Sequence, residues 1–247
     1  MDKVLFLAMT GAKHEMWQQA TTANNLANVN TNAFKADLAA FRALPVVGDG
    51  APTRTYVVDN TIGFDASQGS LQHTGNPADF ALGSPGFFAV QGPDGQEAYT
   101  RDGGYALDAN GLMRTRTGLP IMGDGGPITV PAGSQVQLGA DGSVMAIPLS
   151  GTNRTPQLVG QIKMINPGPK DMYKGEDRLY HVNGGGTAPA SADVKLVPET
   201  LESSNVNSVD ALVQMISHGR QYELNIKMMQ TAQQDDQQAA QLLSVTS

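Results

Sequence analysis

The sequence predicts an α+β protein. Long N- and C-terminal helices are expected to pack as an antiparallel, coiled-coil-like pair, with an extended connector and a projecting all-β domain between them. Three observations carry this. Residues near the start recur at helical spacing, residues near the end do the same, and the middle alternates short apolar runs with glycine-containing turns. The expected boundaries are 1–35 for the N-terminal helix of an inner core, 36–71 for the connector, 72–198 for the β-rich outer domain and 199–247 for the C-terminal helix of the inner core.

In the first segment, Leu5, Met9, Ala12, Met16, Gln19, Ala23 and Leu26 step by four and three. That is a heptad seam with one polar lapse, at Gln19. The seam is narrow and rich in alanine, which favours close approach of a neighbour, and a lone helix of this length is marginal in water. The seam therefore needs a partner. It ends in "ANNLANVNTNAFKAD", Ala23 to Asp37, where Asn24, Asn25, Asn28, Asn30 and Asn32 arrive together. Asparagine competes for backbone hydrogen bonds and is a poor interior helix residue. Amides this dense are expected to bond something fixed, either this chain or another copy of it.

The connector mixes short extended pieces with Gly and Pro, and is expected to lie against something. The β region opens with two hairpin patterns. "GFFAV" and "EAYTR" flank "QGPDGQ", then "GGYALD" and "LMRTR" flank "ANG". "ITVPAG", "VQLGADGSVMAIP" and "LVGQIKMI" continue in the same style. "NPGPKDMYKGEDRLYHVNGGGTAPA" reads as loop, with Tyr173 and Tyr180 as anchors. The final helix is expected to be capped by Asn205 or Asn207, with Asp210 in its first turn. Its seam runs through Leu212, Met215, Gly219, Tyr222, Ile226 and Met229, and weakens in the glutamine-rich tail "QTAQQDDQQAAQ". A low-complexity reading would make that tail disordered, but Gln and Ala are good helix formers and neither Gly nor Pro follows Gly219, so the helix is expected to extend through the tail, held there only in an assembly.

Composition narrows the function. The net charge of −7 argues against bulk attraction to nucleic acid or anionic lipid. The chain has no cysteine, which excludes disulfides, thiolate metal ligands and cysteine nucleophiles. His14, His73, His181 and His218 are scattered, with no local metal-ligand spacing. Asp235 and Asp236 are adjacent on a helix and diverge by about 100°, and Glu176 and Asp177 read as a solvated loop. "NGGGT", Asn183 to Thr187, lacks the strand–loop–helix context of a phosphate cradle. No cleavable leader is visible and no stretch is long enough to span a bilayer. The expectation is a protein that is not an enzyme, takes no cofactor, metal, nucleic acid or small-molecule substrate, and does not insert into the membrane.

The opening "MDKVLFLAMTGAKHEMWQQATTANNLANVNTNAFKADLAAF" resembles the flagellar basal-body rod and hook family, and within it the proximal rod proteins of Gram-negative bacteria. The matching residues are Asn24, Asn25, Leu26, Ala27, Asn28, Thr31, Phe34 and Lys35. "QGSLQHTGNPADFAL", "GFFAV" and "YTRDGGYALDANG" continue the resemblance. It resumes at "LESSNVNSVDALVQMISHGRQYELNIKMMQTAQQ", through Leu201, Glu202, Ser204, Asn205, Val206, Met215, Ile216, Arg220, Tyr222 and Glu223. Ala33 and Ser203 stand where the family usually has glycine, which puts the local loop geometry in question.

The resemblance implies a structural subunit of the basal-body rod, the periplasmic drive shaft, exported by the flagellar type III apparatus without a cleaved signal peptide. Its partners would be other copies of itself and neighbouring rod proteins. The residues expected to make assembly contacts are Leu5, Met9, Ala12, Met16, Ala23, Asn24, Asn25, Leu26, Asn28, Thr31, Phe34, Asn205, Val206, Leu212, Met215, Ile216, Tyr222, Ile226 and Met229. A distal rod or hook-type axial subunit is the alternative. A soluble binding module, with a ligand in its β domain and helices that only dimerise, stands further off.

Overall fold

The computed structural model describes residues 2–245 apart from 46–54 and 151–153. It combines two α-helices with many antiparallel strands, so the chain is mixed α+β. Two compact units form. The first holds Met1–Ala27, Asp37–Gly63 and Asn207–Ser247, and the second holds Asn28–Ala36 and Phe64–Val206.

The first unit contains helices α1, Asp2–Ala27, and α2, Ser208–Val245, which pack on each other. Asn207 caps α2, and its Oδ1 accepts the amides of Val209 at 3.0 Å and Asp210 at 3.4 Å. Of the two caps the sequence offered, this is the one used, and Asp210 lies in the first turn as expected. The contact face differs from the heptad seam. On α1 the buried residues are Ala8, Ala12 and Thr22, with Gly11, Glu15 and Gln19 half-buried. On α2 they are Ala211 and Ala232, with Met215, His218, Gly219, Ile226 and Met229 half-buried.

Leu5, Met9, Met16 and Leu212, all placed in the seams by the sequence, are instead exposed. The reason is steric. A Cβ added to Gly11 would lie 3.0 Å from Asn225 Oδ1, so the helices meet closely, through small and polar side chains. Large apolar residues on that line would hold them apart.

The same unit contains β1, Asp37–Pro45, and all but the last residue of β2, Thr55–Phe64, hydrogen-bonded as a two-stranded sheet. The connector is therefore built of two long strands, where the sequence suggested short extended pieces. The mixture of Gly, Pro and β-branched residues hid the regular part.

The second unit begins with two short strands, β3 (Leu71–His73) and β4 (Phe80–Leu82). Two hairpins follow: β5 (Phe87–Gln91) with β6 (Glu97–Thr100), and β7 (Tyr105–Leu107) with β8 (Met113–Thr115). These are the two hairpins the sequence announced. Then come β9 (Met122–Gly123), β10 (Gly126–Pro127), β11 (Ser134–Leu138), β12 (Ser143–Pro148), β13 (Gln157–Gln161) and β14 (Met164–Ile165).

The stretch read as loop contains a further hairpin, β15 (Met172–Lys174) with β16 (Tyr180–Val182). Tyr180 is buried there against Phe64 and Phe87, with ring centroids 4.7 Å away in both cases. Tyr173 is exposed and stacks on His181, so only one of the two expected anchors acts as one. The last strands are β17 (Leu196–Pro198) and β18 (Thr200–Glu202), which pair back onto β4 and β3.

The central sheet runs β14-β5-β6-β16-β15, and a three-stranded sheet runs β11-β12-β13. Phe80, Phe88, Met113, Ile121, Val144 and Ile162 are among the residues that form the main core. Each such side chain contributes about 1.5–3 kcal/mol when fully removed from water.

Several positions in this unit leave no room for a Cβ, and Gly103 is the tightest of them. A Cβ on Gly103 would lie 1.5 Å from the Phe80 carbonyl oxygen. That neighbour is backbone and cannot swing aside. Gly103→Ala is expected to destabilise the second unit by about 3 kcal/mol or more, measured as a lower urea midpoint with strand-rich circular dichroism lost first. An unchanged midpoint would contradict the packing described.

Candidate assembly interface and its polar anchor

The helices expose more apolar surface than an isolated pair needs. On α1, Val4, Leu5, Phe6, Leu7, Met9, Met16 and Trp17 are exposed, and on α2 so are Val209, Leu212, Val213, Ile216, Leu224 and Met228. Of the residues singled out from sequence, Leu5, Met9, Met16, Leu212, Ile216 and Tyr222 belong to this exposed set. Ala12 is buried. Leu26, Met215, Ile226 and Met229 are half-buried, and Ala23 is exposed. Exposed large apolar side chains in such number are unusual on a monomeric surface.

The asparagines divide their work. Asn25 binds the backbone of Asp37 at both ends of its amide, donating from Nδ2 to the carbonyl at 3.0 Å and accepting the N–H at 2.8 Å. That fixes the start of β1 beside α1. Asn28 accepts from Thr31 through side chain and backbone, at 3.2 and 3.1 Å. Asn24 is exposed. Asn205 accepts the Ala36 amide at 2.8 Å and donates to the carbonyls of Asp65 at 3.0 Å and Ser67 at 3.2 Å. Val206 is half-buried beside it in sequence. Phe34 is half-buried and lies under Lys174, whose Nζ is 4.3 Å from the ring centroid. Thr31 is exposed.

Ala33 takes the left-handed conformation, φ 55°, with its amide bonded to the Glu202 carbonyl at 2.8 Å. The turn thus keeps a geometry suited to glycine although alanine fills it. Ser203 has no positive φ. Its hydroxyl meets that of Ser70 at 2.8 Å, so glycine is not required there.

Three charged residues form the anchor of the second unit. Glu202 is buried at the end of β18. Its Oε1 accepts from Lys35 Nζ at 2.6 Å and from the Gly69 amide at 2.9 Å, and its Oε2 accepts from Arg101 Nε at 2.6 Å. Lys35 also donates to the Ser67 carbonyl at 2.5 Å, and Arg101 to the carbonyls of Gly86 at 2.7 Å and Ser84 at 3.2 Å. Burial pushes the Lys35 amine below its ordinary range, against the pull of Glu202. None of the three was singled out as a site residue. Lys35 and Glu202 stood inside recognisable motifs, but their pairing spans most of the chain and no local spacing displays it.

A second polar cluster lies next to Arg101. Asp79 pairs with Arg116 and accepts from Thr74 Oγ1 at 2.8 Å and Asn76 Nδ2 at 3.1 Å. Asp102 Oδ1 is buried with no hydrogen-bond partner among the described residues. Desolvation pushes the Asp102 carboxyl above its ordinary range, Arg116 pulls the other way, and Asp79 adds to the rise. Among the described residues no group of three His, Asp or Glu could hold a metal ion. No described helix is long and apolar enough to cross a membrane.

Two expectations follow from these clusters. Glu202→Gln leaves Lys35 and Arg101 buried without a counter-charge, which should cost about 3–5 kcal/mol in urea unfolding. A loss under about 1 kcal/mol would show that the anchor is not closed as described. Asp102→Asn should raise stability at neutral pH by about 1–3 kcal/mol, because it removes a charge that folding partly desolvates and leaves with one oxygen unpartnered. The folded state of the parent holds the Asp102 proton to higher pH than the unfolded state does. Its penalty is therefore absent below the ordinary carboxyl pKa, grows as pH rises through the folded value, and is constant above it. The gap between parent and variant should close on acidification, and a gap independent of pH would refute the assignment.

Comparison with known proteins agrees with these features. The family described as flagella basal body rod protein matches residues 6–35, the flagellar hook protein FlgE/F/G D1 domain matches residues 81–146, and the flagellar basal body rod FlgEFG protein C-terminal matches residues 197–242. The chain is 36% identical to the flagellar basal-body rod protein FlgF of Salmonella typhimurium over 252 residues, covering all of both chains, and equally to FlgF of Escherichia coli. It is 33% identical to the flagellar basal-body rod protein FlgG of Buchnera aphidicola, over 96% of this chain and 98% of that one. The matched segments hold both helices, the asparagine-rich turn after α1, the first hairpins of the second unit and the Glu202 anchor, and on this evidence the chain belongs to the flagellar basal-body rod protein family.

Proposed function

We propose that this protein is a structural, non-catalytic subunit of the proximal rod of the flagellar basal body, and that its exposed helical surface carries the contacts to other axial subunits. Family membership over the full length supports the rod assignment. The observation that carries the contact proposal is the large apolar residues left exposed on both helices of one pair. Heterologous contacts of this kind propagate helically instead of closing.

In this reading α1 and α2 run antiparallel. Glu15 Oε2 meets His218 Nδ1 at 2.9 Å while Gly11 faces Asn225, so moving back along α1 is moving forward along α2. The helical segments 1–35 and 199–247 make the inner contacts, the connector 36–71 links them outward, and residues 72–198 face neighbouring rod proteins. Of the contact set drawn from the sequence, Leu5, Met9, Met16, Leu212, Ile216 and Tyr222 are the exposed apolar part and carry the contacts. The rod lies in the periplasm, and the subunit reaches it through the flagellar type III apparatus without a cleaved signal peptide. Its partners are other copies of itself and neighbouring rod proteins. It takes no cofactor.

Met16→Asp and Ile216→Asp test this. Both positions are exposed, so the isolated subunit should fold and melt as the parent does, within about 0.5 kcal/mol. Cells carrying either variant should be poorly motile, with the subunit missing from purified basal bodies. Normal motility and incorporation of both variants would sink the proposal.

A further inference from the structure

The chain contains two Asn-Gly pairs, Asn110-Gly111 and Asn183-Gly184. Both asparagines are exposed, and the structure differs at the glycines that follow them. Gly111 is buried, and its amide donates to the Asp108 carbonyl at 2.9 Å while its carbonyl accepts the Val130 amide at 2.8 Å. A Cβ there would fall 2.1 Å from the Val130 oxygen, so that turn is clamped on both sides. Asn183 lies just past β16 at the head of an exposed stretch, Asn183 to Thr187. Gly184, Gly185 and Gly186 have φ of 84°, 78° and 100°, and a Cβ placed on any of them would meet nothing within 4 Å. Asn183 donates its amide to the Asp171 carbonyl at 2.8 Å and its Nδ2 to the Lys170 carbonyl at 2.7 Å, and Gly185 N–H closes the turn onto the Val182 carbonyl at 3.1 Å, while among the described residues the Gly184 N–H, the attacking group, donates to none.

We propose that Asn183 is a site of spontaneous covalent modification, deamidation through a cyclic imide formed with Gly184, and that the fold suppresses the same reaction at Asn110. The backbone nitrogen of Gly184 gives up its proton and attacks Cγ of Asn183. The new N–Cγ bond forms, the Cγ–Nδ2 bond breaks, and ammonia departs carrying the proton. Water then opens one of the two C–N bonds of the imide, leaving either aspartate or isoaspartate at position 183. No oxidant, reductant or enzyme is needed.

Glycine is suited to the attacking position because no Cβ shields its nitrogen and its backbone turns freely. At Gly111 the nitrogen is committed to a hydrogen bond and the residue is packed in place. There the reaction requires local opening first. The product changes more than charge. A carboxylate at position 183 cannot donate to the Lys170 carbonyl, so two acceptors face each other at 2.7 Å and the turn must open. The site would act as a slow clock on the second unit of any subunit that persists for long.

The test is to hold the purified full-length chain at physiological temperature in neutral and mildly alkaline buffer, and to follow both sites by peptide mapping. Isoaspartate is assayed separately by enzymatic methylation. The expected result is first-order conversion at Asn183, faster in the alkaline buffer, with Asn110 slower by about tenfold, as a retained hydrogen bond of about 1.4 kcal/mol would give. In urea both sites should react at similar rates, because the intrinsic chemistry of the two pairs is the same. Asn183→Gln should remove most of the isoaspartate signal of the folded protein, leaving only the slow contribution of Asn110. Equal rates at the two sites in the folded chain, faster reaction at Asn110, or an inert Asn183 in folded protein alongside reaction in urea would each overturn the proposal.

Discussion

The second unit depends on one carboxylate. Glu202 gathers Lys35, Gly69 and Arg101, and Arg101 in turn holds the carbonyls of Ser84 and Gly86. These groups come from four separate stretches of chain, and none is close to Glu202 in sequence. Buried ion pairs are poor sources of net stability, because desolvation offsets most of the attraction. What the cluster supplies is direction. Two cations and one anion leave an excess positive charge, and the carbonyls of Ser67, Ser84 and Gly86 must turn inward to meet it. The cations fix where those loops run, and apolar packing alone would leave several arrangements of similar energy. The Glu202 backbone carbonyl also binds Ala33, two residues before Lys35, which helps hold an alanine in a conformation that costs about 1–2 kcal/mol.

This explains what was legible in the sequence and what was not. The two early hairpins were legible because turn chemistry is local, as in the Asp108 carboxylate that accepts the amides of Asn110 and Leu112. The N-terminal and C-terminal helices were legible because their periodicity is local too. The phase of the first seam was not. A heptad reading assumes that large apolar residues are buried within the chain. In α1 the buried line is Ala8, Ala12 and Thr22, and Leu5, Met9 and Met16 are left outside. On α2 the error is smaller, since Met215, Ile226 and Met229 do flank the contact while Ala211 replaces Leu212 at its start. The anchor was invisible for another reason. A lysine, an arginine and a glutamate spread over most of the chain carry no spacing that could announce their meeting.

The asparagines sit where regular hydrogen bonding stops. At the end of α1, at the start of β1, in the turn before β3 and before α2, the backbone leaves one ladder before it joins another, and its N–H and C=O groups need partners there. A primary amide offers a donor and an acceptor on one short arm, so it can satisfy both kinds of group at once. Asn25 does so for Asp37, and Asn205 does so for Ala36 and Asp65. A carboxylate could accept but not donate, and serine would reach less far. The density of asparagine in one stretch of sequence reflects a density of backbone groups outside regular structure.

The helical unit shows the complementary economy. α2 has 38 residues and α1 has 26, so α2 is longer by about 18 Å at 1.5 Å per residue. The described residues of its tail from Gln233 onward are exposed where burial is defined. The tail is helical through the propensity of Gln and Ala, without a buried face of its own. Packing within the chain therefore accounts for the small-residue face between α1 and α2, while the exposed Leu, Met, Phe and Trp side chains and the overhanging tail add nothing to it. Solvent exposure of so much apolar surface is unfavourable for an isolated chain and becomes favourable once neighbours cover it. In the proposed function, the same residues that make the lone helix pair marginal would give the assembled subunit its contacts.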